Sequence, residues 1–194
     1  MPADVLEILD ELERLLQPAR FEDYCPNGLQ VPGAANVATV ATGVSAHAEL
    51  FELAAAEGAD LLVVHHGLFW GASAGAIDRA LKRRLQILFD ADIGLAAYHL
   101  PLDAHPEMGN NALLARALGA TGLEPFALHH GEPIGFVASL PGAGLPAAEL
   151  FARVHEITAR EPLVFDSGPA HVRRVAIVSG AGADYLADAA AAGA

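Results

Sequence analysis

Two short stretches of this chain carry metal-ligand side chains at fixed spacing: His65-His66-Gly67, and His99 followed four residues later by Asp103. Imidazole and carboxylate donors together suit zinc, manganese, iron, cobalt or nickel. An aspartate can bridge two such ions through its two oxygens, as paired hydrolytic metals about 3.5–4 Å apart require. Neighbouring side chains on a regular strand point to opposite faces, so His65 and His66 can converge only where the strand breaks. Gly67 makes such a break easy. A single histidine at a strand end is usually just hydrogen-bonded, but four ligand-type residues at two successive strand ends favour ligation. The candidate ligands are therefore His65, His66, His99 and Asp103 around two divalent ions, with a water rather than a side chain as the nucleophile.

These residues need elements that bring them to one edge. Leu61-Leu62-Val63-Val64 reads as a buried strand leading directly into His65, and residues 94–98 read as the next strand, leading into His99. Before them the spacing predicts a helix over 5–16 closed by Pro18, a turn-rich loop over 19–32, a strand over 37–44 and a helix over 46–57 stopped by Gly58. A helix over 77–90 separates the two ligand-bearing strands, and another covers 110–118. Strands alternating with helices predict an α/β fold with a largely parallel sheet, whose ligands sit at the carboxyl ends of strands. Beyond residue 122 the rhythm changes to strands at 134–140, 164–165 and 172–178, and helices at 146–160 and from 183. The expected division is an N-terminal α/β half over 1–125, which carries the metal ligands, and a second half over 126–194. Gly193 resembles a helix C-cap after which a strand would follow, so the second half is expected to be truncated.

The composition narrows the function. With 194 residues and 53% hydrophobic content the chain can bury a real core. It carries 24 acidic and 11 basic residues for a net charge of −13, which repels phosphate backbones, so no nucleic-acid partner is expected. Lys82, Arg83 and Arg84 cluster on a helical pattern and read as a solvated face. No apolar run approaches the roughly 18–20 residues of a membrane span, and the start does not resemble a secretory signal. The single cysteine, Cys25, excludes internal disulfides and cysteine-rich zinc sites. A cytoplasmic protein with a small-molecule substrate is the expectation.

The segments 58–69 and 98–103, built around His65-His66-Gly67 and His99-Leu100-Pro101-Leu102-Asp103, resemble the two N-terminal signatures of the GTP cyclohydrolase I type 2 homologues, the NGG-one-interacting-factor-three-like proteins. Asn27-Gly28-Leu29-Gln30-Val31 and Gly109-Asn110-Asn111 resemble further segments of the same family. The resemblance implies two interlinked α/β halves, a dinuclear metal centre with His65, His66, His99 and Asp103 at ligand positions, and a toroidal homohexamer. It also implies a further histidine and glutamate ligand in a C-terminal segment that this chain lacks. Counting bonds leads to the same shortage, since two metals with about three protein ligands each need more than four side chains. Truncation is the favoured explanation, and His105, Glu107, His129 or His130 are the local substitutes. The implied activity is metal-dependent hydrolysis of a small phosphorylated or nucleotide-like molecule, with GTP ring opening as a named possibility. A non-catalytic, ring-shaped metal-binding scaffold or regulatory protein is the alternative.

Weaker signals have simpler explanations. Gly71-Ala72-Ser73-Ala74-Gly75 matches a nucleophile elbow, but a loop precedes it where a strand is required. Phe69 and Trp70 could stack a substrate base, though packing under a loop accounts for them. Gly180-Ala181-Gly182 reads as a tight turn, Cys25 as a small semi-buried residue, and His129-His130 as part of a polar turn.

Overall fold

A computed structural model describes residues 1–71 and 76–194, so most of the glycine- and serine-containing elbow pattern at 71–75 lies outside the described residues. The chain forms two compact units, Met1–Leu102 and Asp103–Ala194, with the mixed α/β character that the alternating pattern predicts.

The first unit opens with β1 (Ala3–Asp4) and α1 (Val5–Leu16), whose helical span is the one the apolar spacing predicts. Asp4 caps α1, its carboxylate accepting from the Leu6 amide at 2.8 Å. There follow β2 (Gly28–Val31), β3 (Asn36–Val37), β4 (Val40–Ser45), α2 (Ala48–Ala56), β5 (Leu61–His66), α3 (Arg79–Asp90), β6 (Gly94–Ala97) and the short α4 (Leu100–Asp103). Four strands make one sheet in the order β2-β6-β5-β4. Pairing is parallel between β4, β5 and β6, while β2 runs antiparallel along β6.

Both faces of this sheet are covered, which is why its central strands read as unbroken apolar runs. Leu62, Val64, Leu95 and Ala97 pack with Phe51 and Ala54 of α2 and Leu88 of α3. Leu61, Ala96 and Tyr98 pack with Leu9 and Leu16 of α1. The alternation of neighbours between two cores is the period-2 geometry of a strand. Strand β2 lies inside the stretch expected to be a loop. Its turn residues Pro26, Asn27 and Gly28 hide a short edge strand that only pairing with β6 reveals. Lys82 and Arg83 lie on an exposed face, where Arg83 pairs with Glu52 of α2 at 2.8 Å, whereas Arg84 is half-buried and donates to the Ala46 carbonyl at 3.2 Å.

In the second unit, α5 (Asn110–Ala117), β7 (Thr121–His129), β8 (Glu132–Ser139), β9 (Leu145–Pro146), α6 (Ala147–Thr158), β10 (His171–Val172), β11 (Arg174–Ile177) and α7 (Leu186–Ala191) follow in order. Its main sheet, β11-β8-β7, is wholly antiparallel, so the parallel pairing expected for the chain is confined to the first unit. The reason is local. Only His130 and Gly131 separate β7 from β8, both with positive φ (48° and 91°), and such a two-residue turn can only return the chain antiparallel. Pro125 and a register shift obscure β7 in the sequence. Residues 164–165 form no strand; Val164 and Phe165 have no pairing partner and are 38% and 82% exposed. Among the described residues no helix is long and apolar enough to cross a membrane.

Candidate metal centre

Strand β5 ends in His65 and His66, and β6 is followed at once by Tyr98 and His99. Parallel pairing of β5 with β6 therefore delivers three imidazoles to one sheet edge. The ring centroids lie 4.4 Å apart for His65 and His66, 5.0 Å for His65 and His99, and 5.6 Å for His66 and His99. One nitrogen from each ring falls within 4.8 Å of the other two, so the cluster could hold a metal ion. Borderline divalent metals fit this donor set, because neutral imidazole is their commonest protein ligand.

Each ring is anchored through Nδ1. His65 Nδ1 lies 3.2 Å from the Tyr98 carbonyl, His66 Nδ1 3.0 Å from Ser45 Oγ, and His99 Nδ1 2.8 Å from Asp23 Oδ1. A carbonyl and a carboxylate only accept, so His65 and His99 donate from Nδ1, and in the neutral ring that leaves the lone pair on Nε2. Ser45 can donate or accept and leaves the His66 tautomer open.

The supports come from a loop that the sequence offers as turn residues only. Asp23 accepts from His99 Nδ1, from the Cys25 and Leu100 amides and from Asn27 Nδ2. Burial pushes its pKa up, but these four donors outweigh burial and hold it down at about 2. Asn27 Oδ1 in turn accepts the His99 amide at 2.8 Å. Gln30 grips the other ligand segment: its Oε1 accepts the Leu68 amide and its Nε2 donates to the Pro26 carbonyl. A Cβ on residue 67 would overlap the Gln30 amide, so the glycine after the paired histidines lets Gln30 reach the Leu68 amide without shifting. Cys25 is fully buried, and burial pushes its thiol above the usual range, in keeping with a small packed residue. Trp70 is 40% exposed and stands edge-on to His99 at 5.0 Å, with its indole N–H donated to the Gly67 carbonyl. Phe69 packs against the core.

Asp103 opens the second unit and is only 5% exposed. Within that unit its Oδ1 accepts from Asn110 Nδ2 at 2.8 Å and from Ser179 Oγ at 2.7 Å. Asn111, 1% exposed, donates to the Ile134 carbonyl and accepts the Ser179 amide at 2.6 Å. Asp23, Gln30 and Ser179 were not among the sequence-derived site residues. No spacing within one chain marks them, since Asp23 meets His99 from 76 residues away and Ser179 meets Asp103 from the same separation. Of the possible substitute ligands, His105 uses Nδ1 to accept the Glu107 and Met108 amides, and His129 and His130 lie at the β7–β8 turn.

The family model for Duf34/NIF3 (NGG1p interacting factor 3) matches residues 3–194. The chain belongs to this family. Among its DUF34/NIF3 relatives is a "GTP cyclohydrolase 1 type 2 homolog" of Pseudomonas aeruginosa, 42% identical over 187 residues, which cover 96% of this chain and 73% of that protein. A protein of the same name from Archaeoglobus fulgidus is 42% identical over 193 residues, covering 98% and 74%. Among solved structures, a Thermus thermophilus protein matches with a TM-score of 0.86 at 39% identity, covering 96% of this chain and 74% of its own. A structural-genomics protein called ybgI, described as of unknown function, matches with a TM-score of 0.90 at 38% identity, covering 98% and 75%. The DUF34/NIF3 assignment agrees with the resemblance carried by the double-histidine and His99–Asp103 segments.

Proposed function

We propose that this chain is a metal-dependent hydrolase with a dinuclear centre held by His65, His66, His99 and Asp103, acting on a small phosphorylated or nucleotide-like molecule. The observation that carries this reading is the histidine cluster, three imidazoles anchored through Nδ1 with ligand-capable nitrogens within 4.8 Å of one another. Divalent ions bound there, whether zinc, iron, manganese, nickel or cobalt, supply Lewis acidity and activate a water for attack. The chain's own residues set the geometry. The Tyr98 carbonyl, Ser45 and Asp23 orient the three rings, and Asn110 and Ser179 hold the Asp103 carboxylate. The Trp70 ring lies beside His66 and His99, at 5.8 and 5.0 Å between ring centroids. With a net charge of −13 the protein repels anions, so a phosphorylated substrate depends on the metal centre for its attraction. The relatives' names support a GTP cyclohydrolase-like reaction, and GTP is the first substrate to try.

The test is metal content per chain in the purified protein, with Asp103→Ala and His99→Ala prepared alongside. Close to two ions per chain in the parent and a sharp loss in both variants is the expected result. Full retention by Asp103→Ala overturns the assignment of that residue. Two ions without turnover of GTP or a panel of phosphate esters favours the metal-binding scaffold over the hydrolase. The same reading extends to a ring of six copies, and a monomer in light scattering overturns that part.

A further inference from the structure

We infer that Asp23 is a positioning residue of the metal centre: its carboxylate locks the His99 imidazole in the Nδ1–H tautomer and turns Nε2 toward the nitrogens of His65 and His66. This rests on the metal-centre reading above and deepens it. The Asp23 side chain is 2% exposed and that of His99 17%, at an Oδ1–Nδ1 distance of 2.8 Å. Both carboxylate oxygens are committed. Oδ1 also accepts the Cys25 amide at 3.0 Å, and Oδ2 accepts the Leu100 amide at 2.9 Å and Asn27 Nδ2 at 3.0 Å. A carboxylate gripped by four donors can neither swing away nor offer a proton, so His99 Nδ1 must be the donor. The hydrogen bond at one ring nitrogen decides which nitrogen is left to bind metal.

The three anchors are not equivalent. At Nδ1, His65 is held by a neutral carbonyl and His66 by a hydroxyl, whereas His99 is held by a charged acceptor. A charge-assisted bond is roughly twice as strong as a neutral one and raises the basicity of the ligand nitrogen. Asn27 reinforces the arrangement, since it clamps the Asp23 carboxylate with Nδ2 and the His99 amide with Oδ1. Ring and backbone of His99 are thus held by one polar cluster. If Asp23 served only to shape its loop, neither the His99 tautomer nor metal affinity would depend on it.

The experiment titrates Zn²⁺ into the metal-free full chain by calorimetry, followed in parallel by emission of Trp70, the sole tryptophan, whose ring lies 5.0 Å from that of His99. The parent is compared with Asp23→Asn and His99→Ala. A folded Asp23→Asn is expected to bind zinc about 10- to 100-fold more weakly than the parent. Long-range ¹⁵N imidazole NMR of the metal-free parent, assigned with His99→Ala, needs no Asp23 variant and is expected to show His99 protonated at Nδ1 and bare at Nε2. Parent-like zinc affinity in folded Asp23→Asn overturns the inference, as does a His99 ring protonated at Nε2 or averaging between tautomers. Absence of zinc binding by the parent overturns the metal-centre reading instead, and the NMR result then decides the role of Asp23 alone.

Discussion

Strands β5 and β6 of the first unit are covered on both faces, whereas β7 of the second unit is mostly exposed and β8 is buried mainly through its middle. The difference follows from their connections. A helical crossover returns the chain in parallel and leaves a helix on the sheet face, while the two-residue turn at His130-Gly131 returns it antiparallel without adding a helix, and that sheet packs with α5 and α6 instead. Parallel strands all end on the same side, so the side chains that follow them gather at one edge, as His65, His66 and His99 do. The hairpin brings no such convergence, and the polar network of the second unit, Asp103 with Asn110, Asn111 and Ser179, is assembled instead from helix termini and the segment after β11.

The comparison can be broken first at the doubly covered sheet. Leu62 is fully buried in β5, and Leu62→Ala is expected to cost about 2–5 kcal/mol in urea denaturation, because its cavity lies where neither sheet nor helices can collapse. A cost below about 1 kcal/mol would mean the first unit's core is loosely packed.

The next effect is acid sensitivity beside the histidines. Asp23 has a folded pKa of about 2 against an ordinary value of 3.8. A depressed carboxyl stabilises the fold fully above the ordinary value and loses that contribution as pH falls toward the folded one. The metal-free protein should therefore lose about 2 kcal/mol between roughly pH 5 and pH 2 through this group. Asp23→Asn should flatten that limb of a stability–pH curve; an unchanged limb would place the acid sensitivity elsewhere.

The hairpin is probed by Gly131→Ala, which forces a Cβ into a φ of +91° and should cost about 1 kcal/mol in thermal melts. The smallest change is expected at Leu128, 67% exposed on β7, where Leu128→Ala should stay within about 0.5 kcal/mol of the parent. A loss comparable with that of Leu62→Ala would show that β7 is covered in the assembled protein, and the contrast between the two sheets would fall.

Much of this was legible in the residues themselves. The spacing of Val5, Ile8, Leu9, Leu12, Leu15 and Leu16 determined α1, and the run Leu61-Leu62-Val63-Val64 determined both β5 and the place where its histidines emerge. These are local patterns: a period of 3.6 or a continuous apolar stretch states its own burial. The tertiary structure alone decided what holds those histidines. Asp23 sits in a stretch with no periodicity, and Gln30 lies on an edge strand of four residues. Their roles arise from pairing β2 with β6 and from bonds to His99 and Leu68, 76 and 38 residues away. The same holds for Ser179 on Asp103. Types and local spacing name the groups able to bind a metal. Which nitrogen each imidazole presents depends on its partner at the other nitrogen, and that partner is chosen by long-range packing.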